Sequence, residues 1–563
     1  MTYTEIKEKG EKKYYYRVKS VRKGEKVNKE RVYLGGNLNP KELKQKEEQA
    51  DKELNNIQEK PISREDTSKK PLGVLDKNTP KQPSNNSDKD IKGITADKDE
   101  FSEWFSQMML KADLADYSDV SGAIILKPYS YAIWEKLKQE CDTRFKEVGI
   151  KNAYFPLFIP EKLLTKEQEH VEGFTPEVAW VTHAGNTKLH ERLAVRPTSE
   201  AIMYASYSKW IRSHRDLPLK LNQWNNVVRW EFNNPVPFFR TREFLWNEGH
   251  TVFATESEAL KERDQIIDIY KDVCENYLAL YGLEGRKTEK EKFAGAVFSE
   301  KIHYIMPNGK ATEGPCFHHD GQKFAEAYDI KFLDENEKET FAWQNTFAIT
   351  TRMLGVMFAI HSDDKGLIMP PKIAPNPVVI IPILSKEKKN QILKISNEIK
   401  EKLKEYSPIL DDREDYRPGY KFNEYELKGI PIRIELGARD LETDSVTIAR
   451  RDTREKQSIK ITDIEKEIPK ILKDIQDSLF EKSKKLFKSK VKPVNNLEEL
   501  KSVIKNKEVG FAPSCKDENC EDLIKSETSG AKALFIDKKK IKDEKCILCN
   551  KPADYFIYIA KTY

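Results

Sequence analysis

Between residues 227 and 251 the chain reads VVRWEFNNPVPFFRTREFLWNEGHT: Arg229-x-Glu231, a loop with Pro235 and Pro237, then Arg240 and Arg242 among Phe238, Phe239, Phe244 and Trp246. Val227 to Phe232 alternates as a strand with Arg229 and Glu231 on one face, the prolines end regular structure, and a second strand resumes through Phe244 and Trp246. A fixed arginine can grip a phosphate through two parallel hydrogen bonds, a glutamate can accept from an amine, and an aromatic ring can stack on a base. These are the parts of a nucleotide site. Taken alone, the same pattern suits a surface hairpin with cross-strand ion pairs better, so its neighbours must decide.

The elements that hold these residues follow from length and composition. A chain of 563 residues with 38% hydrophobic content can bury several cores, enough for about three or four domains. No apolar run is long enough to span a bilayer and MTYTEIKEKG has no apolar signal core, which points to a soluble cytoplasmic protein with no membrane partner. A net charge of +5 with 34% charged residues leaves polyanion binding to local patches.

Residues 12–34 alternate on either side of Lys23-Gly24 as a two-stranded hairpin, and Asn39-Pro40 reads as the cap and first turn of a charged helix ending near Lys60. Residues 1–60 thus form a small basic module, with eleven Lys/Arg against five Asp/Glu in residues 1–35 and Tyr14, Tyr15, Tyr16 and Tyr33 interleaved. That composition suits RNA contact, a solvated hairpin or a protein-docking module equally. Residues 61–98, rich in Pro, Ser, Asn, Asp and Lys, are expected to be a flexible linker. Residues 99–374 mix helix and strand patterns with many aromatics. VVIIPIL (378–384), a Lys/Glu-rich helix and a second strand at 430–436 make 375–483 a small α/β domain. Residues 484–563 hold four of the seven cysteines: Cys515-x4-Cys520 and Cys546-x2-Cys549, two chelating pairs in turn-forming contexts that suit a closed, structural tetrahedral Zn²⁺ site. Cys141, Cys274 and Cys316 stand apart from it.

Together with LAVRPTSEA (193–201) and FAITTRMLGVMFAIHSDDKGLIMPPKIAP (347–375), the opening stretch resembles motif 2 of a class II aminoacyl-tRNA synthetase, specifically the prolyl-tRNA synthetases of archaeal and eukaryotic type. KNAYFPLFIPEKLL (151–164) is similar to the dimer-forming motif 1 and PGYKFNEYELKGIPIRIELGARDLE (418–442) to the anticodon-binding domain. The resemblance covers residues 101–563. It implies an α+β catalytic domain (an antiparallel sheet flanked by helices), an α/β anticodon-binding domain, a C-terminal zinc-binding α+β domain, a homodimer, and attachment of L-proline to tRNA(Pro) through prolyl-adenylate.

Residue by residue, Arg229 resembles the arginine on the α-phosphate and the amino-acid carboxylate, Glu231 the adenine and metal-side contact, and Arg240 and Thr241 the loop contacts to a bent triphosphate and base. Phe244 resembles the stacking ring and Arg352 the motif 3 arginine on the outer phosphates, assisted by Thr350. ATP with Mg²⁺ is implied, and positioning with charge neutralisation requires no protein nucleophile. Thr198 and Glu200 match the pair that receives proline's secondary ammonium, Phe174, Trp246 and Phe293 the apolar wall, and Glu248, His250 and His318 the remaining polar positions. In KATEGPCFHHDGQ (310–322) the family's glutamine and threonine facing ATP and proline are replaced by Glu313 and Cys316, and a carboxylate near a triphosphate must be offset. The expectation is drift compensated by a neighbour; the alternative is altered substrate preference or weakened activation.

The residues between His250 and Arg352 are accounted for by the catalytic domain, leaving no room for a cis-editing insertion. A proline pocket excludes alanine and cysteine weakly, so mischarging or a separate editing factor is expected. The resemblance also marks Lys421, Glu424, Arg433, Glu435 and Arg439 for anticodon reading, and implies that the carboxylate of Tyr563 reaches toward the active site.

Overall fold

The computed structural model describes residues 2–9, 12–23, 26–36, 40–56, 93–170, 177–230 and 235–563. Gly24, Asn39, residues 57–92 of the expected helix end and linker, Phe174 and Glu231 lie outside them. The chain divides into two units, residues 1–87 and 88–563.

In the first unit the expected two-stranded hairpin is three-stranded. Thr2–Lys9, Lys12–Lys23 and Lys26–Gly36 form an antiparallel sheet in chain order, Thr2 pairing with Lys19 and Lys9 with Lys12. The Thr, Tyr and Ile residues of TYTEIKEK supply a strand preference that its charges mask. The helix Pro40–Asn56 is fastened to this sheet by Arg17, which donates to both Asp51 oxygens at 2.9 and 2.7 Å and to Thr4 at 3.0 Å.

The second unit is built on one long sheet. Its strands, in spatial order, are Val491–Pro493, Val509–Ser514, Tyr555–Ala560, Lys532–Ile536, Leu283–Arg286, Phe298–Ile305, Ala311–Gly321, Trp343–Thr350, Glu243–Phe253, Leu219–Val228 and Lys151–Asn152. The pairings are antiparallel except the first and last, so the sheet of the catalytic region continues into the cysteine-bearing region through a contact of Arg286 with Ile536. Helices Phe101–Lys111, Pro128–Glu147, Glu256–Asn276 and Arg352–His361 share one core with it. Glu256–Asn276 shows why: Ala259, Glu262, Ile266, Tyr270, Val273 and Cys274 fall on one buried stripe, and Thr255 and Glu258 satisfy the free amides of its first turn reciprocally.

Residues 375–463 form a five-stranded sheet in which Val378–Pro382 lies between parallel neighbours Ile409–Leu410 and Ile432–Leu436. The α/β region was expected to end at Ser483, but the helix Ile464–Lys490 runs straight through that residue. Ile464, Ile468, Ile471, Ile475, Leu479 and Phe487 keep one buried face across it.

Candidate active site

The strands Leu219–Val228 and Glu243–Phe253 pair Val227 with Phe244 and Gln223 with Glu248. The first ends at Val228, so Arg229 lies just past the strand rather than on its face; its amide donates to the Arg242 carbonyl at 2.7 Å. On the second, side chains alternate: Trp246, Glu248 and His250 line a cavity of about 500 Å³. Asn247 turns away to accept from Tyr270 at 3.0 Å. A side chain at Gly249 would meet the Phe347 ring at 2.1 Å, so only glycine separates Glu248 from His250.

Thr198 and Glu200 reach the same cavity because Arg196, 1% exposed, holds their segment down by donating to the carbonyls of Phe155 at 2.8 Å and Asn226 at 2.9 Å. Thr198 donates to Glu200 and sits 3.5 Å from Glu248. Glu248 collects Gln223 at 3.0 Å, Asn225 at 2.6 Å, the Ser199 amide at 3.0 Å and His250 at 3.4 Å. Nothing in the sequence singled out Ser199, Gln223 or Asn225. Burial alone would push the Glu248 carboxyl up, but His250 and these donors hold it below its ordinary range; burial likewise opposes charge on His250, and Glu248 with Glu200 raises it instead.

Glu248 therefore contributes stability that is complete above its ordinary 4.5 and lost as pH falls through its lower folded value. The His250 contribution is complete below its ordinary 6.5 and lost as pH rises through its higher folded value. The pair stabilises most between pH 4.5 and 6.5. His250→Asn is expected to lower stability by about 3–5 kcal/mol in that window and by less at alkaline pH. Melting curves across the range test this, and a loss independent of pH would contradict it.

A second group of side chains is cationic. Arg229 donates to the Pro197 carbonyl at 3.1 Å and lies 5.5 and 5.4 Å from the Phe244 and Trp246 rings. Arg352 opens its helix, with its amide on Thr350 Oγ1 at 3.1 Å and its guanidinium on the carbonyls of Phe239 and Glu313, both at 3.1 Å. Burial, then Arg240 and Arg229 against the pull of Glu313, lowers the Arg352 pKa, so an entering anion would relieve crowded positive charge. Arg240, Thr241, Phe244, Cys316 and Thr350 also line the cavity.

Glu313 is offset. Lys301 Nζ lies 2.7 Å and Lys287 Nζ 2.9 Å from its carboxylate. Against the upward push of burial they hold it well below the usual carboxylate range. These lysines went unnoticed in the sequence, although Pro307-Asn308-Gly309 marks a hairpin turn whose register sets Lys301 opposite Cys316. His318 accepts from or donates to Ser299 at 2.7 Å, and burial, with Lys301 beside it, brings its pKa down to about 3, keeping it neutral. Phe293 packs on its ring at 4.9 Å.

The ring of Tyr563 stacks on Phe239 at 4.6 Å, and Ala311 donates to the Lys561 carbonyl at 2.7 Å. The phenol ring of Tyr563 thus packs against the loop bearing Arg240. Of the residues marked for the anticodon, Lys421 is buried against Asp411 at 2.9 Å, Glu424 is held by Arg413 and Lys428, and Glu435 by Arg433 and Lys456. Arg439 is exposed. The four C-terminal cysteine sulfurs lie within 4.8 Å of one another, with separations of 3.6, 3.6 and 4.0 Å.

Family models match along this scaffold: a tRNA synthetase class II core domain (G, H, P, S and T) over residues 180–361, an anticodon binding domain over 377–471, and a prolyl-tRNA synthetase C-terminal domain over 497–563. The proline–tRNA ligase of Ruminiclostridium cellulolyticum is 45% identical over 476 residues, 84% of this chain and 98% of its own length. The chain belongs to the prolyl-tRNA synthetase family. Proline–tRNA ligase 2 of Bacillus cereus is 43% identical with the same 84% coverage, and 99% of its own length. A crystal structure of prolyl-tRNA synthetase from Cryptosporidium parvum, complexed with halofuginone and AMPPNP, matches with a TM-score of 0.81 at 43% identity, covering 84% of this chain and 100% of that one. The synthetase is a class II ligase that uses ATP to charge tRNA with proline. Among the described residues no helix is long and apolar enough to cross a membrane.

Proposed function

We propose that the two groups of side chains in the cavity divide the two substrates of the first half-reaction. The observation that carries this is their adjacency: Thr198, Glu200 and Glu248 beside the cations Arg229, Arg240 and Arg352 in one cavity of about 500 Å³. Proline's ammonium goes to Glu200, Glu248 and Thr198, and its ring lies against Trp246 and Phe293, with His250 and His318 behind. Its carboxylate oxygen attacks the α-phosphorus of ATP, the bond to the bridging oxygen breaks, and pyrophosphate leaves. Arg229 stabilises charge at the α-phosphate, while Arg352, Arg240 and Thr241 hold the departing phosphates. Phe244 stacks the base and Thr350 supports Arg352. Mg²⁺ would enter with the triphosphate and lessen its charge; Glu231, its expected contact, lies outside the described residues. The lysine partners of Glu313 support the reading of Glu313 as a compensated change, with Cys316 a tolerated neighbour on the same floor.

Cys515, Cys520, Cys546 and Cys549 form a structural Zn²⁺ site in this reading: a tetrahedron of Zn–S bonds of about 2.3 Å sets sulfurs about 3.8 Å apart, close to those found. The synthetase is a cytoplasmic homodimer whose motif 1 surface includes Tyr154 and Phe158, 72% and 44% exposed and available for a partner to cover.

The test is ATP–pyrophosphate exchange on the purified chain with proline, alanine and cysteine. Exchange that depends on proline and prefers it at least about tenfold over alanine is the expected result. No exchange with any of the three would reject the assignment.

A further inference from the structure

The segment between the strands Leu283–Arg286 and Phe298–Ile305 faces two ways. Glu291, Lys292, Phe293 and Ala294 line the cavity, and Lys287 reaches Glu313 on its floor. The residues between them turn outward to the helix Glu518–Glu527 of the cysteine-bearing region. Thr288, 1% exposed, donates to Glu521 at 2.9 Å, and Lys290 pairs with Asp522 at 2.6 Å and reaches the Glu518 carbonyl at 3.3 Å. Lys532 pairs with Glu291 itself at 2.5 Å. The Thr288 carbonyl in turn receives the amides of Glu291 and Lys292 at 3.1 and 3.0 Å, so the group anchored outside organises the turn that faces inside.

Glu521 directly follows Cys520, one of the four clustered thiols. Thr288 and Glu521, 1% and 6% exposed, are cut off from water and have each other as buried partners. A buried hydrogen bond to a carboxylate is among the stronger ones, and removing one partner leaves the other unsatisfied.

We propose that the cysteine-bearing region fixes the amino-acid wall of the pocket from behind, with Thr288 and Glu521 as positioning residues for proline binding. This rests on the assignment of the cavity to proline. Neither side chain touches the substrate. Their effect passes through the turn 288–293 to Phe293, whose amide is held by Ser299 at 2.8 Å.

The test uses the full chain with Thr288→Val, Glu521→Ala, the two combined, and Glu521→Gln, which keeps an acceptor oxygen. The KM for proline in pyrophosphate exchange is expected to rise about fivefold to tenfold in each single variant, with the KM for ATP and kcat nearly unchanged. The double variant should be no worse than either single one, Glu521→Gln should recover most of the loss, and hydrogen exchange in residues 287–294 should quicken in the alanine variant. Wild-type exchange with proline KM unmoved in both single variants would overturn the inference and leave the function standing. An equal rise in both KM values with a lowered melting temperature would overturn it too, as general loosening. A wild-type chain without proline-dependent exchange would overturn the assignment beneath it.

Discussion

Arg229→Ala is expected to cut proline-dependent pyrophosphate exchange by about 10²–10³-fold, most of it in kcat. The side chain has little structural duty to lose: its one side-chain hydrogen bond described is to the Pro197 carbonyl, and its guanidinium rests near two aromatic rings. What it supplies is a fixed cation beside Arg240 and Arg352, in surroundings where burial and like charge already favour an anion's arrival. Arg229→Lys keeps the charge and loses the forked donor geometry, so it should recover only a small part. Melting temperatures within a few degrees of the parent would assign the loss to chemistry. A variant retaining more than about a third of the parent's kcat would remove Arg229 from the role given to it.

Cys546→Ser should have the largest effect on stability. Four thiolates around a metal ion are worth on the order of 10 kcal/mol of folding free energy, far more than the packing of so small a region can replace. The expected result is loss of about one metal ion per chain by elemental analysis, together with an early separate melting step. The strands nearest the cluster belong to the sheet that bears the cavity, so exchange activity should fall as well. A parent chain purified without metal, its four thiols free and its melting unaffected by a chelator, would reject the metal assignment.

The spacing of the cysteines was legible by itself and brought Cys515 and Cys520 together with Cys546 and Cys549, whereas Trp246, Glu248 and His250 were marked by the family resemblance and line the cavity from one face of Glu243–Phe253. Partners supplied by distant strands were not legible. Lys301 meets Glu313 through the register of the hairpin 298–321 and Lys287 through the neighbouring strand Leu283–Arg286, which no local spacing reveals. Gln223 and Asn225 support Glu248 through pairing of the first strand with the second, and Ser199 does so from the start of the helix Glu200–Trp210. The end of the α/β region near Ser483 falls inside the helix Ile464–Lys490, whose periodic apolar stripe continues to Phe487. Lys421 drew notice as a base reader, yet its ammonium is spent inside the domain on Asp411.

The continuity of the long sheet bears on how the chain is made. Leu283–Arg286 is an edge of the catalytic strands until Lys532–Ile536 joins it through Arg286 and Ile536, and those partners are synthesised far apart in time. In that interval the nascent sheet presents unpaired amides and carbonyls to any passing strand, a template for aggregation that joining at Arg286 and Ile536 narrows. Chain shortening ahead of Lys532 would make that temporary hazard permanent, so the solubility of the catalytic region depends on residues that take no part in its chemistry.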